Sequence, residues 1–129
     1  MFARQGYAAA SRHYASIDAG SRVEGASPHQ LVKILFDELL LAMDATAMAI
    51  RGGDRGKAFE KQTRALTLLH ALETSLDFEQ GGEIATNLAI VYREARRRLL
   101  AAAAENDADR VLSARGIIND IAEAWAQIG

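Results

Sequence analysis

The chain has 129 residues, one domain's worth, with 15 Lys+Arg against 17 Asp+Glu. It has no cysteine, so disulfide frameworks, zinc–thiolate sites and thiol nucleophiles are excluded. Half the residues are hydrophobic, 26 of them alanine, beside ten glycines and one proline, which excludes a sheet sandwich, a collagen-like chain and a disordered tail and leaves an all-helical domain.

Residues 1–26 come first as a separate segment, rich in Ala, Ser, Gly and Arg, with Phe2, Tyr7 and Tyr14 spaced along it. Residues 3–17 predict a weak helix and 18–26 a loop. Tyr7 and Tyr14, seven apart, would share one helical face as two aromatic anchors of a detachable cap. The N-terminus has no apolar run of signal-peptide type, so the expected compartment is the cytoplasm.

Residues 27–129 predict an antiparallel four-helix bundle. Ser27-Pro28-His29-Gln30 is a start signal, with Ser27 as cap, Pro28 at the first helical position and Gln30 completing a capping box. The first helix then runs to residue 50 and stops at Gly52-Gly53. Asp54 caps a second, over 55–76. Residues 77–82 break the pattern, and Glu83 lies in the first turn of a third helix running to about residue 104. Asn106 tolerates a left-handed turn, and Asp107 caps a fourth helix to about residue 128. Such helices are each about 30–35 Å long.

The apolar faces are unequal. The second and fourth helices show broad faces, Ala65/Leu68/Leu69/Leu72/Leu76 and Ile117/Ile118/Ile121/Trp125/Ile128. The third shows a narrow seam of Ile84, Leu88, Val91, Ala95 and Leu99. In the first helix apolar residues cover about 260°, where a bundle helix ordinarily shows a little over 100°. Three neighbours cannot cover that arc, so its surplus, Val32, Phe36, Leu40 and Met43, predicts a groove for the N-terminal segment, a second subunit or a partner helix. Ile117 and Ile121 are further candidates.

Catalytic and ligand motifs are missing. None of His13, His29 and His70 follows a Glu at the di-iron spacing, and His-Glu-x-x-His is absent. His70 and Glu73 read as an ordinary surface pair. Gly52-Gly53-Asp54-Arg55-Gly56-Lys57 fails the phosphate-loop spacing and reads as a helix–helix turn. Arg93, Arg96, Arg97 and Arg98 around Glu94 read as a solvated face, and the charge balance does not suit nucleic acid. Uninterrupted apolar stretches such as residues 39–43 are far below the ~20 residues of a membrane span. No cofactor or metal is expected.

With these elements in place, the chain resembles the FliS family of flagellar export chaperones along nearly its whole length. The resemblance rests on Met1-Phe2, Tyr7 and Tyr14, Ala26-Ser27-Pro28-His29-Gln30-Leu31-Val32 and Leu35-Phe36-Asp37. It continues through Leu76-Asp77, residues 79–88, Tyr92, Arg97-Arg98-Leu99, Asn106-Asp107-Ala108, Ile121-Ala122 and Ala124-Trp125. It implies a cytoplasmic, non-enzymatic bundle that binds the disordered C-terminal segment of flagellin, blocks premature polymerisation and delivers the subunit to the export gate protein FlhA. By the same resemblance Tyr14 and Tyr7 belong to the cap and gate-docking region, and Val32, Phe36, Leu40, Met43, Ile117 and Ile121 to the flagellin groove. The chain departs from the family pattern at Phe2 (usually Tyr), at Glu38 (usually Gly) and at Tyr92-Arg93-Glu94 (often Tyr-Asp-Tyr). The rival readings are a homodimeric bundle adaptor with no flagellin role, and a phosphotransfer or metal enzyme using His70.

Overall fold

The computed structural model describes residues 24–128. Tyr7 and Tyr14, with the rest of the predicted N-terminal cap up to residue 23, lie outside the described residues. Among those described there are four helices and no strand: α1 (Pro28–Arg51), α2 (Arg55–Thr74), α3 (Phe78–Glu105) and α4 (Ala108–Gln127).

Local side-chain chemistry sets each boundary. Ser27 Oγ accepts from the Gln30 N–H at 3.1 Å, and Gln30 Oε1 accepts from the Ser27 N–H at 3.0 Å. This reciprocal pair satisfies donors that the first turn leaves unbonded. Asp54 caps α2 through the Lys57 N–H. Asp77 and Asp107 cap α3 and α4 in the same way, each accepting from two backbone N–H groups. Asn106 takes the left-handed conformation, φ 55° and ψ 45°, that ends α3. The predicted break at 77–82 is narrower than expected. Residues 78–81 form a helical turn, and only Gly82, at φ 49° and ψ −125°, leaves helical geometry and kinks α3.

The helices pack in cyclic order, α1 on α2, α2 on α3, α3 on α4 and α4 on α1, with α1 and α3 diagonal. Ion pairs mark the seams: Arg64–Glu38 between α1 and α2, Arg93 and Arg96 with Glu73 between α2 and α3, and Arg115–Asp44 between α1 and α4. At the base of the bundle the Trp125 indole N–H donates to the His29 carbonyl at 3.1 Å, and the two rings stack with centroids 4.5 Å apart.

The expected groove on α1 needs correction. Val32, Phe36 and Met43 are buried members of the core, Phe36 only 1 % exposed, and Leu40 is partly buried against it. The reason lies in the rotation of α1. These residues occupy its α4 side, which the Arg115–Asp44 and Trp125–His29 contacts identify, and α4 packs along it. The outward stripe instead carries Leu41, 62 % exposed, and Met48.

Candidate partner-binding groove

The α3 seam also differs from expectation. Its core line is Ala85, Ala89, Tyr92, Ala95, Leu99 and Ala102, so Ala95 and Leu99 are placed as predicted. Ile84, Leu88 and Val91 are turned toward the surface, Ile84 to 55 % exposure. The core-facing positions of α3 thus carry the small Ala85 and Ala89 and the large, fully buried Tyr92. An apolar stripe of larger residues is thereby left beside the core rather than in it.

That stripe faces α4. The Arg98 guanidinium donates to Ser113 Oγ at 2.8 Å, fixing which side of α3 meets α4, while Glu73 fixes the opposite, α2 side. At helical periodicity Ile84, Leu88 and Val91 fall within about 60° of one another on the α4 side. On α4, Ile117 and Ile121 fall within a similar arc on the Ser113 side, toward α3, and Ile128 follows the helix in extended backbone. The helices are antiparallel, so counting away from Arg98 and Ser113 brings Ile121 near the 90–91 step and Ile128 near Ile84. Leu88, Val91, Ile117 and Ile121 are partly buried, and Ile84, Ile128 and the bordering Ile90 are exposed. Together they form a partly exposed apolar strip along the α3–α4 seam.

The two ends of the groove differ. One is closed by charge: Glu94 accepts from Arg97 Nε at 3.0 Å and from Arg98 Nε at 2.8 Å. The hydrogen bond from Arg97, then that from Arg98, lowers the Glu94 carboxyl to about 2, and Glu94 in turn raises the Arg97 guanidinium. The other end, at Ile84 and Ile128, is open and apolar.

Of the six residues expected to line a groove, Ile117 and Ile121 lie partly buried on this strip. Leu40 lies at the α1–α4 seam, and Val32, Phe36 and Met43 are core. Sequence reasoning had assigned Ile84, Leu88 and Val91 to the core. The available signal was the crowding of Ile84, Leu88, Ile90 and Val91, more large residues than one α3 stripe accommodates.

His70 is exposed, and among the described residues no group of three or more His, Asp or Glu side chains could hold a metal. Gly53, at φ 74°, lies in the turn that joins α1 to α2. No described helix is long and apolar enough to cross a membrane.

The described residues thus form an all-helical four-helix bundle with a partly exposed apolar strip along the α3–α4 seam. The family profile described as flagellar protein FliS matches residues 10–129. The chain is 40 % identical over 116 residues to the flagellar secretion chaperone FliS of Salmonella typhimurium, covering 89 % of this chain and 86 % of that one. It is 32 % identical over 128 residues to the corresponding Escherichia coli protein, covering 98 % and 91 %. The Bacillus subtilis chaperone is 26 % identical over 105 residues, covering 81 % and 77 %. The chain belongs to the FliS family of flagellar secretion chaperones.

Proposed function

We propose that this chain holds the disordered C-terminal segment of flagellin as an amphipathic helix in the α3–α4 groove. Bound there in the cytoplasm, the segment is withheld from polymerisation until the subunit reaches the export gate. The observation that carries this reading is the apolar strip Ile84, Leu88, Val91, Ile117, Ile121 and Ile128 on a member of a flagellar chaperone family. A segment that orders only on binding must offset its conformational entropy, which favours an extended apolar contact of this kind. Delivery to FlhA is assigned to the N-terminal segment, with Tyr14 and Tyr7 as its docking residues.

The test is co-purification and titration with a peptide of the flagellin C-terminal segment. Micromolar or tighter binding is expected. Ile121→Asp should weaken it at least tenfold, since a buried isoleucine contributes up to about 1.5–3 kcal/mol and a carboxylate in its place must be desolvated. Absence of binding at micromolar concentration, or full affinity in the variant, would sink the assignment. Tyr14→Ala should keep peptide affinity and lose FlhA binding.

A further inference from the structure

A second recess lies on the other side of α3 and at the other end of the bundle. It opens between the start of α2 and the end of α3, holds about 240 Å³, and is lined by Ile50, Arg55, Ala58, Phe59, Gln62 and Ala103 among others. Its inner wall is sealed by the Gln62 amide, which donates to the Leu99 carbonyl at 3.3 Å. Farther along the same seam, Glu73 with Arg93 and Arg96 replaces apolar contact by ion pairs. The rim is unusually apolar: Phe59 is 70 % exposed, and Leu100, one turn from Ala103 and Ala104, is half exposed.

Volume and charge narrow the occupant. Pockets for small metabolites enclose roughly 300–1,000 Å³, so this one is undersized for such a ligand. It suits a single large side chain inserted as an interface anchor. Arg55, in the first turn of α2, lines the recess and makes no hydrogen bond or ion pair with any described residue. Its neighbours are engaged, Arg51 with Asp109 and Lys61 with Glu60. A guanidinium held beside an apolar recess selects a carboxylate adjoining the inserted group.

We propose that this recess is a second docking point, which takes one bulky apolar side chain flanked by carboxylates from an acidic segment of another protein. The proposal does not depend on what fills the α3–α4 groove. The two sites lie on opposite sides of α3, so both can be occupied on one molecule.

The probe is the peptide acetyl-Gly-Asp-Leu-Asp-Gly-amide, titrated into the isotope-labelled full chain and followed by backbone amide shifts. Saturable shifts are expected at residues 55–62 and 103–106. Replacing both Asp by Asn should weaken binding about threefold to fivefold, the range of an exposed ion pair. Replacing the Leu by Ala should abolish saturation. Arg55→Gln should bring the Asp peptide down to the affinity of the Asn peptide, and Ile121→Asp should leave it unchanged. Arg55 is exposed and Ile121 partly buried, and the comparison uses each variant once its helical circular dichroism and cooperative unfolding match the wild type. Shifts that do not saturate, that gather on Ile84–Val91 and Ile117–Ile128, or that are equal for the Asp and Asn peptides would overturn the proposal. So would loss of Asp-peptide binding in the Ile121→Asp variant.

Discussion

Tyr92→Phe should stabilise the protein. The Tyr92 side chain is fully buried on α3, and its hydroxyl has no hydrogen-bond partner among the described residues. An unsatisfied buried hydroxyl costs about 1–3 kcal/mol relative to its hydrated state. Phe keeps the ring and its packing and removes the hydroxyl, giving up a few tenths of a kcal/mol of dispersion contact. A net gain of about 1 kcal/mol follows, or a rise of about 3–4 °C in melting temperature for a chain of this size. Urea and thermal unfolding, followed by far-ultraviolet circular dichroism, measure it, with the urea slope unchanged. An independent signature lies at alkaline pH. Burial pushes the Tyr92 phenol well above its ordinary value of 10.0, so the folded state resists ionisation that the unfolded chain permits. That contribution is complete below pH 10 and is lost as pH rises above it. The wild type should therefore weaken above pH 10 by about one titrating group more than Tyr92→Phe does. A variant less stable than wild type at neutral pH, or one with an identical alkaline slope, would refute the assignment of Tyr92 as an unsatisfied core hydroxyl.

Other substitutions probe the remaining features. Phe36→Asp places a carboxylate in the core against α4 and should abolish cooperative thermal unfolding; a folded variant that merely loses partner affinity would restore Phe36 to a surface groove. Gly82→Ala meets no atom within 4 Å, yet forces an L-residue to φ 49° and ψ −125°. It should cost about 1–3 kcal/mol in urea unfolding, and a neutral result would show that the kink relaxes. Glu94→Gln should remove a pH dependence confined to acid. The lowered carboxyl favours the folded state above its ordinary 4.5 and loses that contribution as pH falls toward about 2. Carboxyl titration by nuclear magnetic resonance in the wild type should give a midpoint near 2, and an ordinary value would show that the Arg97 and Arg98 contacts do not persist in solution.

Helix boundaries were readable from residues because they are local. Ser27 with Gln30, Asp54, Asn106 and Asp107 each act within three or four positions of themselves and cap or end a helix as expected, while Asp77, placed in a break, caps α3 instead. The second apolar face, Ala65, Leu68, Leu69, Leu72 and Leu76, was equally legible and is wholly buried. It forms one continuous stripe with no competitor on its helix.

Where a helix carries more apolar surface than one stripe, the residues alone leave its rotation open. The sequence puts the surplus of the first helix at Val32, Phe36, Leu40 and Met43, but which part of its apolar arc stays open depends on where α4 lies. Packing against α4 buries Val32, Phe36 and Met43 and leaves Leu41 and Met48 outward. In α3 the core line is Ala85, Ala89 and Tyr92, which leaves Ile84 exposed and Leu88 and Val91 only partly buried. The sequence by itself determined an alanine-rich, cysteine-free four-helix bundle and its family, because helix propensity, capping and motif order are properties of the chain taken residue by residue. The tertiary structure decided which apolar stripe became core and which became groove, because burial is set by what each helix face meets across the bundle.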